Sequence, residues 1–273
     1  MPDHPTPHAD VNLVVHEFLS DVQSILGPRF VAMYLYGSLA LGDFSPPNSP
    51  VLSSDIDFVV VTDAELPQAL FVALHEMHAR FDAGGSPWAT QVEIVYIARN
   101  ALRRYDPDGA LCPHIQRGET LVMDRLDSGW IPQLHILREH GIVLAGPDPR
   151  TLIDPFSPED LRRAMARSIN EWPARLSHEP LPLHQWGFRV FTVLTMCRML
   201  YTLDSGAVVS KPVAARWAQQ TLGERWSTLI EWALAPRQHG IDMAGGGIEE
   251  TLALVEYALE RGRSRREPAG DRE

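Results

Sequence analysis

Up to Pro155, the chain alternates between segments with apolar residues at helical spacing and short runs of β-branched and aromatic residues. The helical spacing predicts helices at 10–26, at 67–83 and in a segment that ends near Glu139. The β-branched and aromatic runs predict strands at 30–36, 56–61, 91–97 and 142–145. Strands and helices in alternation are typical of an α/β domain.

Beyond Pro155 the pattern is helical. Ser157 as N-cap, Pro158 at the first helical position and Asp160 three residues after the cap predict a helix start. Apolar spacing then predicts helices at 161–176, 186–203, 211–221, 226–235 and 248–261. The predicted fold class is an α/β (α+β) domain with a mixed sheet over 1–155, an all-α helical bundle over 156–262 and a disordered polar tail over 263–273.

The composition excludes several classes of protein. No apolar run reaches the roughly 18 residues that a membrane span requires, and residues 1–10 are rich in Pro, His and Asp rather than in the basic and apolar residues of an export signal. A net charge of −11 disfavours binding to nucleic acid, which relies on clustered Lys and Arg. We therefore expect a cytoplasmic protein without a membrane or nucleic-acid partner and with a neutral or cationic small-molecule substrate.

An acidic pair opens the strand at 56–61. Asp55 and Asp57 stand at alternate positions, so their carboxylates would lie roughly 6 to 7 Å apart on one face of the strand. Such a pair is either a solvated charge on an edge strand or a ligand set for Mg²⁺, which binds through one or two carboxylates and the phosphates of a substrate. Gly37 and Ser38 follow the preceding strand, where glycine permits close backbone approach and a helix start favours anions.

A third carboxylate lies within the strand predicted at 91–97. Glu93 is flanked by Val92 and Ile94, and a carboxylate in a central strand is costly unless it is paired or bound to a metal. If this strand neighbours the Asp55 strand, Glu93 completes a cluster of three carboxylates. The alternative is that Glu93 faces solvent.

The order hydrophobic strand, Gly37-Ser38, loop, Asp55-x-Asp57, strand resembles the nucleotidyltransferase superfamily, which includes antibiotic adenylyltransferases and polymerase β. The resemblance implies a nucleotidyltransferase domain that transfers a nucleoside monophosphate to a hydroxyl and releases pyrophosphate. It implies that Asp55 and Asp57 hold Mg²⁺, that Glu93 joins them as general base and metal ligand, and that the triphosphate is bound by Gly37, Ser38 and Ser54. The loop 39–54 is longer than is usual in the small antibiotic enzymes.

The helical half carries a second likeness. The segment "LTMCRMLYTLDSGAVVSKPVAARWAQQTL", 194–222, is similar to the carboxy-terminal part of the aminoglycoside 3″/9 adenylyltransferases. Arg198 and Lys211 have the spacing of that family's phosphate-binding Arg and Lys, so the resemblance implies that they reach the ATP phosphates. Lys211 is also the one lysine among the 24 basic residues, and a compact ammonium suits a phosphate.

The chain departs from these enzymes at acceptor-binding positions. Thr120 follows Gly118-Glu119 where streptomycin-modifying members have Trp, Phe188 stands where they have a substrate-binding Asp, and Arg237 replaces a Tyr near the nucleotide. Streptomycin is therefore expected to be a poor substrate, unless other acids such as Glu171 or Glu179 replace the missing anion.

The sequence thus predicts a Mg²⁺-dependent enzyme that transfers AMP from ATP to a hydroxyl of a small acceptor, such as an aminoglycoside or aminocyclitol. Two alternatives stay open. The first is a nucleotidyltransferase that modifies a protein such as an antitoxin, although the long helical half disfavours that reading. The second is a catalytically silent nucleotide-binding protein, which the intact carboxylates disfavour.

Overall fold

The chain divides into two units, one formed by residues 1–47 and 54–155 and the other by residues 48–53 and 156–273. The computed structural model describes residues 4–46, 53–106, 109, 111–178, 182–235 and 247–266. Along these residues, no helix is both long and apolar enough to cross a membrane.

The first unit contains six strands and five helices among its described residues. In chain order they are α1 (Ala9–Leu26), β1 (Phe30–Leu35), α2 (Gly37–Leu41), β2 (Ile56–Thr62), α3 (Gln68–Ala83), β3 (Val92–Ala98), α4 (Arg99–Leu102), β4 (Cys112–Ile115), β5 (Val122–Asp124), α5 (Trp130–His140) and β6 (Ile142–Ala145). Every helix and strand that the sequence predicts in this unit is present, with ends that differ by one or two residues.

The strands form one mixed sheet in the order β5-β4-β3-β2-β1-β6. Strands β2 and β3 are parallel and are joined through α3, whereas the other neighbours are antiparallel. Strand β2 is buried along its whole length except at Asp57, which explains its near-continuous apolar sequence. Phe58 and Val60 on one face of β2 belong to the same core as Phe18 of α1 and Leu74 of α3.

The second unit is helical in its described part, with α6 (Pro158–His178), α7 (Trp186–Ser205), α8 (Lys211–Thr221), α9 (Ser227–Leu234) and α10 (Ile248–Arg266). Helix α7 has buried residues on all sides and lies at the centre of this core. At the start of α6, the Ser157 amide donates to Asp160 Oδ2 at 2.9 Å, and the Asp160 amide donates to Ser157 Oγ at 3.1 Å. The predicted capping box is confirmed.

Three local features differ from the sequence predictions. Helix α1 begins at Ala9, one residue before its predicted start, so that Asp10 lies in its first turn. Strands β4 and β5 had no counterpart in the predicted elements. Helix α10 continues to Arg266, past the predicted domain end at 262, and the rest of the predicted tail lies outside the described residues.

Candidate active site

Three carboxylates meet where β2 and β3 begin. The parallel register places Asp57 directly opposite Glu93, and Asp55 precedes Asp57 by two residues, so it points to the same face. One carboxylate oxygen from each of the three residues lies within 4.8 Å of the other two, and all three side chains are half-buried. The structure therefore brings together the three acids that the sequence singled out, and Glu93 does not face away from the aspartates.

Gly37 lies against this cluster and makes room for it. Its φ of 60° is in the left-handed region, and a Cβ built on it would fall 1.9 Å from Asp57 Oδ2. The amide of Tyr36 donates to the Asp57 carbonyl at 3.1 Å, which fixes the turn against β2. Only glycine satisfies both the backbone conformation and the close approach.

The hydroxyl of Ser38 is buried beside this turn, in the first turn of α2. Ser38 Oγ has no hydrogen-bond partner among the described residues. Because a buried hydroxyl without a partner carries a desolvation cost, a polar ligand at this position would satisfy it.

Ser54 is hydrogen-bonded to Ser45, at the other end of its loop. The Ser54 amide donates to the Ser45 carbonyl at 2.7 Å, and the Ser45 amide donates to Ser54 Oγ at 3.1 Å. These two bonds close the base of the loop, whose residues 47–52 lie outside the described part of the chain. A contact between Ser54 and a triphosphate stays a prediction.

The three carboxylates of the cluster lie close enough to repel one another, and, together with burial, this repulsion shifts the pKa values of nearby groups. Burial, followed by the charges of Asp57 and Asp55, raises the pKa of Glu93 well above its usual range, and the amide of Arg117 opposes this shift. Burial and the same three carboxylates also raise the pKa of the Tyr36 phenol well above its usual value. A cation at this position would relieve the repulsion between the carboxylates.

Arg117 belongs to this site, although the sequence analysis did not single it out. Its Nη1 lies 3.0 Å from Asp55 Oδ1, and its backbone amide donates to Glu93 Oε1 at 3.3 Å. The residue lies in the connection between β4 and β5, directly before Gly118. Arg117 lies near the acids because β4 pairs with β3. No local sequence motif predicts that pairing.

The two predicted phosphate ligands of the helical half lie in the second unit. Arg198 is half-buried on α7, and Lys211 is the first residue of α8. The Lys211 Nζ lies 4.5 Å from the centre of the Phe191 ring, a cation–π distance. Phe188, one turn before Phe191 on α7, has its ring centre 6.1 Å from that of Phe191.

The other positions that the sequence connects with the acceptor or the nucleotide belong to both units of the chain. Thr120 is exposed between β4 and β5, and Glu171 is exposed on α6. Glu179 and Arg237 lie outside the described residues. A replacement for the missing substrate-binding acid thus stays a prediction.

Known proteins resemble this chain along most of its length. Residues 151–261 match the family model of the aminoglycoside adenylyltransferase C-terminal domain. An aminoglycoside (3″) (9) adenylyltransferase of Shigella flexneri is 27% identical over 237 residues, which cover 81% of this chain and 83% of that protein. A spectinomycin 9-adenylyltransferase of Staphylococcus aureus is 27% identical over 249 residues, which cover 88% of this chain and 90% of that protein. The chain is similar to the aminoglycoside adenylyltransferases.

A solved structure shares the fold. The crystal structure of a spectinomycin adenyltransferase from Enterococcus faecialis with ATP and spectinomycin matches with a TM-score of 0.70 at 17% sequence identity, and the match covers 91% of this chain and 98% of the other. The resemblance inferred from the motifs is confirmed, as are the fold class and the prediction of a nucleotidyl-transferring enzyme.

Proposed function

We propose that the protein transfers AMP from ATP to a hydroxyl group of an aminocyclitol or aminoglycoside antibiotic and releases pyrophosphate. The observation that carries the proposal is the cluster of Asp55, Asp57 and Glu93 beside the Gly37-Ser38 turn. The names of the relatives, and the ATP and spectinomycin in the solved structure of similar fold, support the same reaction.

The cluster fits a hard divalent cation such as Mg²⁺. It offers only carboxylate oxygens, and the three ligand atoms lie within 4.8 Å of one another. Asp55, Asp57 and Glu93 would hold the ion. When bound, it would offset the charges of the carboxylates and of the transferring phosphoryl group.

Glu93 is the proposed general base. It would accept the proton of the acceptor hydroxyl while the hydroxyl oxygen forms a bond to the α-phosphorus and the bond from that phosphorus to the pyrophosphate oxygen breaks. The Arg117 amide holds Glu93 Oε1 at 3.3 Å, which fixes the orientation of the carboxylate. A fixed base is the arrangement that proton transfer requires.

Ser38 is the proposed triphosphate ligand of the first unit, because its buried hydroxyl has no partner among the described residues and lies in the first turn of α2. Gly37 allows the backbone to come close to a phosphate at the same turn. Arg198 and Lys211 are assigned to the phosphates from the family resemblance, as is Ser54.

The acceptor is proposed to be compact. Thr120 and Phe188 replace an aromatic residue and an acid that the streptomycin-modifying enzymes use, and loss of a charged partner typically costs a few kcal/mol, or about two orders of magnitude in affinity. We therefore infer that a smaller aminocyclitol such as spectinomycin is a better acceptor than streptomycin. The net charge of −11 still favours a cationic acceptor.

The test is a comparison of kcat/KM for spectinomycin, streptomycin and a panel of hydroxylated metabolites under identical Mg·ATP. We expect spectinomycin to exceed streptomycin by about 100-fold. A preference for streptomycin would contradict the reading of Thr120 and Phe188. Turnover with a metabolite and with neither antibiotic would overturn the proposed acceptor class.

A further inference from the structure

The connection between β4 and β5 places Arg117 beside the acidic cluster. The Glu119 amide donates to the Gln116 carbonyl at 2.9 Å, which closes a tight turn, and Gly118 supplies a φ of 77°. A turn with positive φ at its third residue favours glycine there. Arg117 therefore occupies the second position of the turn, and the pairing of β4 with β3 carries that turn to the cluster.

Arg117 contacts the cluster through its side chain and through its backbone. The guanidinium lies 3.0 Å from Asp55 Oδ1 and also donates to the side chain of Gln91. The backbone amide donates to Glu93 Oε1 at 3.3 Å. The backbone contact depends only on the turn, whereas the side-chain contact adds a positive charge to a group of three carboxylates. A substitution at 117 can therefore remove the charge and leave the hydrogen bond to Glu93.

The ion pair is also partly shielded from solvent. The side chain of Arg117 is 33% exposed and that of Asp55 is 24% exposed. A planar guanidinium held by a second acceptor keeps one orientation, which strengthens its hold on a carboxylate. Ion pairs in such positions are screened less than pairs on the open surface.

We propose that Arg117 is a positioning residue and the internal counterion of the acidic cluster: it holds Asp55 while no divalent cation is bound and releases Asp55 Oδ1 as the cation binds. The proposal rests on the proposed function, in which Asp55 is a cation ligand. A guanidinium and a divalent cation repel each other and need the same carboxylate, so each weakens the binding of the other. Arg117 therefore stabilises the cation-free protein and lowers its affinity for the cation.

The experiment measures Mn²⁺ binding to the full chain without nucleotide, by titration calorimetry after removal of divalent ions with EDTA. The test variant is Arg117→Gln, which removes the charge and keeps the backbone amide. Arg117→Lys keeps the charge but lacks the planar fork. The matched control is Arg29→Gln, because Arg29 forms an exposed ion pair with Asp63 at 3.3 Å in the same unit, beyond the other end of β2.

We expect Arg117→Gln to bind Mn²⁺ about 10-fold more tightly than the parent, Arg117→Lys to lie between them, and Arg29→Gln to match the parent. In EDTA, the melting temperature of Arg117→Gln should be lower than that of the parent. Mn²⁺ should raise the melting temperature of Arg117→Gln by more than it raises that of the parent. A merely structural arginine would lower the melting temperature with and without Mn²⁺ and would leave the affinity unchanged or weaker. If Arg117→Gln does not fold, Arg117→Lys alone carries the comparison.

The outcomes also separate this inference from the proposed function. Mn²⁺ binding that Asp57→Asn abolishes and that neither Arg117 variant strengthens would overturn the counterion role and leave the cation site in place. Absence of Mn²⁺ binding in every variant, with or without Arg117, would overturn both.

Discussion

Substitution of Gly37 tests the geometry of the acidic cluster separately from backbone strain. A Cβ at Gly37 would lie 1.9 Å from Asp57 Oδ2 and 2.7 Å from Asp57 Cγ, at a φ of 60°. Gly42, directly after α2, has a φ of 75° and nothing within 4 Å of a built Cβ. Alanine at either position has a similar backbone strain of about 1–2 kcal/mol. Alanine at position 37 alone also collides with a carboxylate.

The magnitudes follow from these contacts. Gly42→Ala should lower the free energy of unfolding by about 1–2 kcal/mol and leave AMP transfer near the parent rate. Gly37→Ala should lower it by a further 0.5–1.5 kcal/mol or so, because the Asp57 carboxylate must rotate out of its rotamer. Displacement of a catalytic group by about 1 Å costs on the order of 100-fold in rate, so Gly37→Ala should lose about that much activity.

Urea denaturation gives the two unfolding free energies, and turnover with saturating Mg·ATP gives the rates, at a temperature where both variants are folded. Gly42→Ala is the control, because both variants have the backbone strain and only Gly37→Ala has the collision with Asp57. A Gly37→Ala variant that transfers AMP as fast as Gly42→Ala would refute the place of Asp57 in the catalytic cluster.

Three further predictions follow from the same structure. Glu93→Gln should lower turnover by about 100-fold or more, with ATP affinity nearly intact by calorimetry; normal turnover would remove Glu93 as the base. Lys211→Met should raise the Kd for Mg·ATP and lower turnover together, and Lys211→Arg should restore only part of both; an arginine variant equal to the parent would contradict a specific need for the ammonium. His78 donates to or accepts from the Tyr96 hydroxyl at 2.8 Å, and burial followed by the charge of His75 lowers its pKa to about 3. Because the unfolded state then binds the proton first, this group's contribution to stability is fully present above pH 6.5 and is lost as the pH falls towards 3, a loss on the order of 2–3 kcal/mol by pH 4.5. Urea denaturation of His78→Gln between pH 7 and 4.5 should show a correspondingly weaker acid dependence than the parent, and an unchanged dependence would count against the buried neutral histidine.

The sequence was most informative where a local pattern determines the structure. The apolar run at 56–61 became β2 with one additional residue, because a strand buried on both faces needs apolar side chains at every position. The capping box of Ser157 and Asp160 formed as predicted, because it depends on residues three apart.

Local sequence patterns did not predict the features that depend on pairing between distant segments of the chain. Strand β4 contains Pro113, a residue that counts against a strand, and exists because β3 and β5 flank it. The position of Arg117 beside Asp55 depends on that pairing, so no spacing in the sequence could reveal it. Glu93 could be connected to Asp57 only on the condition that their strands are neighbours, since the register of two strands separated by α3 is a property of the whole sheet.

The proposed transfer of AMP is tested most directly by following the α-phosphorus of ATP. The full chain is incubated with Mg²⁺, spectinomycin and ATP labelled on either the α- or the γ-phosphorus, with Asp57→Asn as the inactive control. We predict that the α-label appears in the antibiotic and the γ-label in pyrophosphate, in equal amounts, and that neither transfer occurs with the control variant. Label from the γ-phosphorus in the acceptor, or transfer of the α-label that survives Asp57→Asn, would contradict the proposed reaction and its site.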